Sequence, residues 1–387
     1  MSSALPATGI DGFTDEGFGP VADAFRANFA DGLEVGAACA MYVDGRRVVD
    51  LWAGLADERT GRPWAKDTMT VIFSITKGLV AILAHRAVED GHLDLDAPVA
   101  TYWPEFAQAG KDEIPVRWLL SHRAGLMAVD RDLSLAEALA WTPVVKALEA
   151  QPPLWPPGSA WEYHALTYGW LVGEVLRRVA GQTPGALLRD QIAGPLRLDL
   201  WLGLPEAQEP RVATKVPSVA QTEASESGGV VDRAATMGAA FVGEHSIGNG
   251  FNDPRIHAAE VPGAGGIGTA RSLAKAFAAT VQDVGGVRLL HPSTLGHLTR
   301  TESESPSWLG SETGPERFSS GFMLDSERFP MLGPTSFGHD GAGGQRAFAD
   351  IDHRAGFGYV SNQMGGSGED PRAARLVTAL RSCLGGG

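Results

Sequence analysis

Ser74 and Lys77 are the two residues whose types and spacing most directly suggest chemistry. They begin and end the segment 74–77, at the start of a stretch whose apolar residues recur at helical spacing as far as about Asp90. Residues three positions apart share one face of a helix, so the hydroxyl and the ammonium are predicted to be neighbours. A basic amine within hydrogen-bond reach can activate a hydroxyl, and the pair therefore predicts nucleophilic catalysis by serine.

The position of Lys77 in the first turn of the predicted helix also affects its expected pKa. A cation there opposes the helix dipole by about 0.3–1 kcal/mol, which lowers the pKa and makes the amine a better base. On this motif alone, an alternative stays open in which Ser74 caps the helix and Lys77 is a solvated cation. The choice between the two depends on the rest of the sequence.

Several other stretches follow along the chain in a definite order. Tyr163-His164-Ala165 precedes an apolar helical segment, and His339-Asp340-Gly341 lies in a glycine-rich segment that is predicted to form a strand. The remaining stretches are 116–126, 192–198 and 265–270.

Together with segment 74–77, these stretches resemble the motifs of the serine β-lactamase and penicillin-binding-protein superfamily, specifically its class C branch and the family VIII carboxylesterases. The S-x-x-K motif of that superfamily matches Ser74 and Lys77. The Tyr-x-Asn motif of class C enzymes matches at Tyr163, and this sequence has Ala165 where the motif has Asn. The Lys-Thr-Gly motif matches 339–341. The resemblance covers nearly the whole chain and implies an enzyme that forms an acyl-enzyme on Ser74.

The resemblance also implies roles for the groups around the nucleophile. Tyr163 and Lys77 together would accept the Ser74 proton and later activate water, and which of the two is the primary base stays open. The backbone N–H groups of Ser74 and Ala342 would form the oxyanion hole. Gly341 would lie against the substrate, where a residue without a side chain allows close approach.

The departures from the superfamily motifs indicate the kind of substrate. The lysine of the third motif offers a fixed positive charge to a carboxylate, whereas His339, which would also contact the substrate, offers no fixed charge. Ala165 removes an amide that could bind an acylamide substrate or hold Lys77. Both changes favour an ester substrate over a β-lactam.

The expected fold is of the α/β class, in its α+β form. Predicted strands at 35–43 and 47–55 are joined by an Asp-Gly turn, and further strands are predicted at 319–324, 344–351 and 355–361. Since strands occur near both ends of the chain with helices between them, we expect an antiparallel sheet built from both termini and flanked by helices. The predicted sheet domain comprises 1–95 and 265–387, and the mainly helical insertion comprises 96–264.

Helices and loops complete this expectation. The predicted helices are 74–90, 118–120, 135–141, 143–150, 168–179, 184–188, 270–281 and 372–384. Weak patterning at 205–265 predicts long loops, and these loops, with segment 300–317, are expected to control substrate preference.

Composition excludes several functional classes. The chain has 387 residues and a net charge of −14, which disfavours nucleic acid as a partner. Its apolar stretches are far shorter than the roughly 20 residues that span a bilayer, and no signal peptide is recognised, so a cytoplasmic location is expected. Cys39 and Cys383 are too few for a disulfide framework or a thiolate zinc site.

No cofactor or metal is expected. The pattern G-x-G-x-x-G occurs at 263–268, but the preceding segment 255–262 is polar and ends in proline, unlike the buried strand of a dinucleotide site. No H-E-x-x-H pattern and no G-x-S-x-G elbow occur in the sequence.

The remaining aromatic residues near the motifs are expected to be structural or are left open. Tyr168 and His122 are interpreted as structural, and His164 as either a substrate contact or a structural residue. Four tryptophans could wall an acyl pocket or pack in the core, namely Trp141, Trp155, Trp161 and Trp170.

The sequence therefore predicts a serine carboxylesterase that acts on short-chain or aryl esters, which are small-molecule partners. Two alternatives remain: an amide hydrolase similar to β-lactamases or D-aminopeptidases, and a catalytically inactive scaffold of the same fold. Retention of Ser74, Lys77 and Tyr163 together favours the enzyme. A homo-oligomer remains compatible with the sequence.

Overall fold

The structure, a computed structural model, describes residues 9–217, 229–310, 316–365 and 370–385. Its strands are β1 (Asp11–Thr14), β2 (Gly36–Val43), β3 (Arg46–Asp57), β4 (Arg62–Pro63), β5 (Thr70–Val71), β6 (Leu200–Trp201), β7 (Ile267–Gly268), β8 (Ser303–Glu304), β9 (Arg317–Phe318), β10 (Met323–Leu324), β11 (Ser336–Gly341), β12 (Gln345–Asp350) and β13 (Ala355–Ser361).

The helices alternate with long connections in the middle of the chain. They are α1 (Gly19–Ala30), α2 (Ile75–Glu89), α3 (Val116–Leu120), α4 (Leu135–Leu139), α5 (Thr142–Ala150), α6 (Thr167–Ala180), α7 (Pro184–Leu188), α8 (Gly194–Leu196), α9 (Val230–Thr236), α10 (Pro254–Ala258), α11 (Ala270–Val281), α12 (Leu295–Leu298) and α13 (Pro371–Cys383).

One large antiparallel sheet joins the two ends of the chain. Its strand order is β1-β3-β2-β13-β12-β11-β10-β9-β8, with β4 paired to β3. The junction lies where β13 pairs with β2 over seven residues, from Ala355 opposite Val43 to Ser361 opposite Ala37. The predicted fold class is therefore confirmed. The division into domains 1–95 with 265–387 and 96–264 remains a prediction.

Side chains on the two faces of this sheet belong to two different hydrophobic cores. Successive residues of a strand point to opposite faces. In β2, Met41 packs in the core formed with α1 and α13, whereas the adjacent Ala40 packs in the core that includes α2, α6 and α11. The second core continues into the helical part of the chain, so α2 lies between the sheet and the helices. This arrangement buries α2 and brings its N-terminus beside the end of β11.

Some of the predicted elements were wrong. A single strand was expected at 319–324, but β9 ends at Phe318 and β10 begins at Met323. A turn lies between them, in which the Ser319 N–H donates to the Phe322 carbonyl and Gly321 has a φ of +99°. A positive φ of this kind suits glycine and interrupts a strand. The predicted strand 344–351 begins one residue later than expected for the same reason, because Gly344 has a φ of +88°.

The expectation of long loops at 205–265 was only partly correct. Two short helices, α9 and α10, lie in this stretch, and residues 218–228 are outside the described residues. In the predicted loop 300–317, β8 pairs with β9, and residues 311–315 are also outside the described residues. The elements β1 and α1 near the N-terminus were not predicted.

Candidate active site

Ser74 lies at a sharp bend between β5 and α2. The preceding residue, Phe73, has a φ of +46°, which is uncommon for any residue other than glycine and marks local backbone strain. Ser74 occupies the N-cap position of α2, yet its side chain makes no capping hydrogen bond. The hydroxyl is therefore free to contact other groups.

Lys77 contacts Ser74 from the first turn of α2. Its Nζ lies 2.9 Å from the Ser74 Oγ, and it donates to the carbonyl oxygens of Ala165 and Gly263, both at 2.7 Å. A neutral amine has two N–H bonds and one lone pair. With the two N–H groups donated to the carbonyls, the lone pair of the amine would face the Ser74 hydroxyl. This arrangement suits a general base.

The protonation of Lys77 matches such a role. The residue is fully buried, and burial lowers the pKa of Lys77 to about 7, although the negative charge of Asp340 acts to raise it. The main cause of the lowered pKa is desolvation. At neutral pH a substantial fraction of the side chain is the free amine.

Tyr163 reaches Ser74 from the other side. The Ser74 side chain lies close enough to the Tyr163 hydroxyl to affect its pKa, and the Lys77 Nζ lies 4.9 Å from the centre of the Tyr163 ring. Burial and the charge of Asp340 hold the pKa of Tyr163 well above its usual value, and the interaction with the Ser74 side chain opposes this rise only in part. Tyr163 is thus a neutral phenol near pH 7. Ser74, Lys77 and Tyr163, predicted from separate motifs, lie together.

The histidines next to the second motif hold Tyr163 in place. The ring of His122 lies 4.9 Å from that of Tyr163, its carbonyl accepts from the Glu162 N–H, and its Nδ1 accepts from the His164 N–H. Phe318 stacks on the Tyr163 ring at 6.0 Å. These contacts fix the backbone on both sides of Tyr163, in agreement with the structural role predicted for His122.

His164 is a structural residue. It is fully buried, its Nδ1 donates to the Glu162 carbonyl at 2.6 Å and its Nε2 accepts from the Leu126 N–H at 3.1 Å. Burial lowers the pKa of His164 to about 4, so the ring is neutral and both nitrogens are in use. Tyr168 is also fully buried, as predicted.

The third motif occupies the end of β11. The Nδ1 of His339 lies 2.8 Å from the Asp340 carbonyl, which can only accept, so Nδ1 carries the proton. The side chain of His339 is 1% exposed, and its Nε2 has no hydrogen-bond partner among the described residues. The ring lies 6.1 Å from that of Tyr163. In this conformation His339 borders the site from inside the protein.

Asp340 is the accessible side chain of this motif, with 36% of it exposed. Burial acts to raise the pKa of Asp340, but the hydrogen bond with His339 and the charges of Arg346 and Lys77 lower it overall. The group is therefore a carboxylate at neutral pH. Sequence reasoning assigned no role to Asp340, although it stands at the centre of a recognised motif.

The turn 342–344 follows directly, and β11 ends against the segment that precedes Ser74. A Cβ built on Gly341 would lie 2.4 Å from the Ile72 carbonyl oxygen, so only glycine allows this approach. Gln345, the first residue of β12, donates from Nε2 to the Val71 carbonyl at 3.0 Å. These contacts place the turn that contains Ala342 beside the start of α2.

The two carbonyls that hold Lys77 carry no recognisable sequence signal. Ala165 replaces the asparagine of the motif, and its backbone oxygen contacts Lys77 in the absence of an amide. Gly263 belongs to the glycine-rich segment that superficially resembled a nucleotide loop. In the structure this segment supports α2, since the Gly266 carbonyl accepts from the Ile72 N–H and the Gly266 N–H donates to Thr76 Oγ1.

The described part of the chain contains neither a cluster of metal ligands nor a membrane-spanning helix. Within 9–217, 229–310, 316–365 and 370–385, no group of three or more His, Cys, Asp or Glu side chains is arranged to hold a metal ion. No helix in that part of the chain combines the length and apolar character needed to cross a bilayer.

Comparison with known proteins shows the family of the chain. The profile of the Beta-lactamase family matches residues 24–381. The chain belongs to the beta-lactamase family. Within the family it is similar to the esterase/beta-lactamase LipL of Mycobacterium tuberculosis, with 32% identity over 375 residues that cover 92% of this chain and 83% of LipL.

Two solved structures resemble this chain over almost its entire length. A family VIII carboxylesterase superimposes with a TM-score of 0.86 and 37% identity, covering 97% of this chain and 100% of the other. A penicillin-binding-protein homologue from Caulobacter crescentus gives a TM-score of 0.86 and 36% identity, with the same coverage. The resemblance inferred from the motifs is therefore confirmed.

Proposed function

We propose that this beta-lactamase family member is a serine carboxylesterase that hydrolyses short-chain or aryl esters through an acyl-enzyme on Ser74. The enzyme class, a serine ester hydrolase, is supported by the similarity to LipL and to a family VIII carboxylesterase. The observation that carries the mechanism is the contact of the Lys77 Nζ with the Ser74 Oγ at 2.9 Å, with two carbonyls accepting the other protons of the amine.

In acylation, Lys77 is the base. Its neutral amine takes the Ser74 proton while the Oγ forms a bond to the ester carbonyl carbon, and the carbonyl electron pair moves onto oxygen. The backbone N–H groups of Ser74 and Ala342 would stabilise that oxyanion. Tyr163 is a poor base because its pKa is raised well above 10.

Tyr163 acts as a proton donor instead. Its hydroxyl lies near the Ser74 side chain, so it would lie beside the carbon that Ser74 attacks. When the bond between that carbon and the alcohol oxygen breaks, Tyr163 donates a proton to the departing alkoxide, and the ammonium of Lys77 returns the proton to Tyr163. In deacylation Lys77 accepts a proton from the attacking water, and it returns this proton to the Ser74 Oγ when the bond between that oxygen and the acyl carbon breaks.

The charge near the nucleophile favours esters that lack a carboxylate. The lysine of the third motif is replaced by His339, and the exposed group beside it is the Asp340 carboxylate. A substrate carboxylate at this position would be repelled instead of being bound. β-Lactams carry such a carboxylate, and this supports an esterase over a lactamase.

The test is hydrolysis of p-nitrophenyl acetate and butyrate by the purified protein and by the Ser74→Ala variant. Ser382→Ala, at an exposed hydroxyl on α13, is the control. We expect turnover by the wild type and the control, and loss of turnover in Ser74→Ala. Equal turnover by Ser74→Ala would contradict the mechanism, and an inactive wild type would favour the scaffold alternative. Faster turnover of a chromogenic cephalosporin than of either ester would favour the amide hydrolase.

A further inference from the structure

A buried arginine from the C-terminal helix holds the turn 342–344. Arg372 is the second residue of α13 and is 2% exposed. Its Nη2 donates to the Gly343 carbonyl at 2.6 Å. Gly343 follows Ala342, whose N–H belongs to the proposed oxyanion hole. The guanidinium therefore contacts the backbone one residue from the group that would stabilise the transition state.

Two carboxylates fix the orientation of this guanidinium. Its Nε and Nη2 donate to Asp370 at 2.9 and 2.5 Å, and its Nη1 donates to Glu34 at 3.1 Å. The guanidinium is planar, so contacts on two of its edges define both its position and its plane. Asp370 is the N-cap residue of α13, which ties the arginine to the start of its own helix.

Glu34 connects the arginine to the centre of the large sheet. It is buried, and it accepts hydrogen bonds from the Tyr359 hydroxyl and from the Ser361 hydroxyl on β13. The Arg372 Nη1 also lies 3.1 Å from the Ser361 Oγ. The chain of contacts thus runs from β13 through Glu34 and Arg372 to Gly343.

The turn packs so closely against this cluster that Gly343 and Gly344 have no room for a side chain. A Cβ on Gly344 would lie 2.0 Å from the Asp370 Oδ2, and a Cβ on Gly343 would lie 2.9 Å from the Met364 sulfur. The carbonyl of Ala342 accepts from the Gln345 Nε2 at 3.3 Å. Since successive carbonyls of the turn are held by side chains, the peptide planes of the turn have defined orientations.

We propose that Arg372 is a positioning residue for the oxyanion hole: by holding the Gly343 carbonyl it fixes the turn 342–344, and with the pairing of Gly341 and Gln345 on the other side it restricts the Ala342 N–H. The role rests on the proposed function, because it requires that Ala342 stabilises an oxyanion. An oxyanion donor contributes mainly in the transition state, so its misalignment lowers kcat more than it raises KM.

The experiment compares Arg372→Lys with Arg375→Lys. Lysine keeps the charge of Arg372 but provides a single ammonium that cannot contact Gly343, Asp370 and Glu34 at once. Arg375, three residues later on α13, pairs with Asp31 and is partly exposed, so it controls for the same change elsewhere on the helix. One readout is the steady-state hydrolysis of p-nitrophenyl butyrate, with kcat calculated from the concentration of active sites. That concentration is determined by complete titration with a fluorophosphonate. The other readout is inhibition by butylboronic acid.

For Arg372→Lys we expect kcat to fall by about 10- to 100-fold, below the loss of about 10²–10³ caused by removing an oxyanion donor outright. KM should stay within about twofold, and the inhibition constant of the boronic acid, which forms a tetrahedral adduct with serine, should rise by the same factor as kcat falls. Arg375→Lys should leave all three quantities unchanged.

Glu34→Gln is the second variant, because it preserves the shape of the side chain while it removes the charge and replaces one of the two acceptor oxygens with an N–H donor group. We expect Glu34→Gln to lower kcat by a smaller factor, to leave KM nearly unchanged and to weaken inhibition by the boronic acid. This variant keeps the proposal testable if Arg372→Lys does not fold. Unchanged kcat and boronic acid inhibition in a folded variant, with at most a lower Tm, would contradict the proposal. A wild type that hydrolyses no ester would contradict the proposed function itself, whereas an active wild type with unaffected variants contradicts only the role of Arg372.

Discussion

The Lys77 Nζ lies 2.9 Å from the Ser74 Oγ, and the Ser74 side chain makes no capping hydrogen bond although it occupies the N-cap position of α2. A serine at this position usually accepts a hydrogen bond from a backbone N–H of the first turn. Here the hydroxyl contacts Lys77 and Tyr163 instead. The residue that a helix would normally use to satisfy its own backbone is therefore available as a nucleophile.

Ester hydrolysis should depend on the protonation of Lys77. The protonated amine has no lone pair, so kcat/KM should be low in acid, rise through about pH 7 and then level off, following the pKa of Lys77. The measurement is a pH profile with p-nitrophenyl acetate. Lys77→Arg should lower kcat/KM by about 10²–10⁴ and remove this rise, because arginine remains charged at every accessible pH. A rise centred at pH 9 or above in the wild type would exclude Lys77 as the base described here.

Removal of the Tyr163 hydroxyl should impair proton delivery to the alcohol. Tyr163→Phe is expected to lower kcat for a substrate with a basic alkyl leaving group by about 10²–10⁴, the usual contribution of a general acid. A p-nitrophenyl ester has a good leaving group that needs little protonation, so its acylation should be less affected. Comparing ethyl and p-nitrophenyl butyrate in burst kinetics tests this difference. Equal losses of the acylation rate for both esters would contradict a proton-donor role.

The charge of Asp340 should discriminate between substrates. Asp340→Asn is expected to raise kcat/KM for p-nitrophenyl hemisuccinate relative to p-nitrophenyl butyrate, an ester of similar size without a carboxylate. The change should be about two- to fivefold, because the side chain is partly exposed and such charge interactions are worth about 0.4–1 kcal/mol. Asp352→Asn, which removes an exposed charge in the turn after β12, is the control.

The same Asp340→Asn variant should also shift the pH profile. The negative charge of Asp340 raises the pKa of Lys77, so its removal should move the acid limb to lower pH. If the ratio of kcat/KM for the two esters and the acid limb of the pH profile were both unchanged, Asp340 would not act at the site.

His164 should contribute to stability through two buried backbone groups. His164→Ala leaves the Leu126 N–H and the Glu162 carbonyl without their ring partner, and each unsatisfied group costs about 1–3 kcal/mol. Chemical denaturation should therefore show a loss of about 2–5 kcal/mol, whereas His291→Ala, at an exposed histidine, should change the free energy of unfolding by less than about 0.5 kcal/mol. A loss below 1 kcal/mol in His164→Ala would contradict this assignment.

Regular helices and paired strands could be predicted from the sequence because their periodicity is local. The helix expected at 270–281 coincides with α11, and the Asp-Gly turn correctly joins β2 to β3. The short strands β9 and β10 could not be separated, because the turn between them depends on the φ of Gly321. The strand β1 and the helices α9 and α10 were missed because these segments show little periodicity in the sequence.

The site shows a similar division. Ser74, Lys77 and Tyr163 could be found because their side chains define motifs. The carbonyls of Ala165 and Gly263 could not, since a backbone oxygen is present in every residue and its direction depends on the fold. Arg372 contacts a turn 29 residues earlier in the chain, so that contact has no local signature either.

The central claim, an acyl-enzyme on Ser74, is tested most directly by trapping that intermediate. The protein is mixed with excess p-nitrophenyl butyrate, quenched in acid within milliseconds, and analysed by intact mass spectrometry and peptide mapping. We predict a single butyryl adduct on the peptide that contains Ser74, and no adduct in Ser74→Ala. Efficient ester hydrolysis by the wild type with no adduct, or an adduct on any residue other than Ser74, would contradict the account.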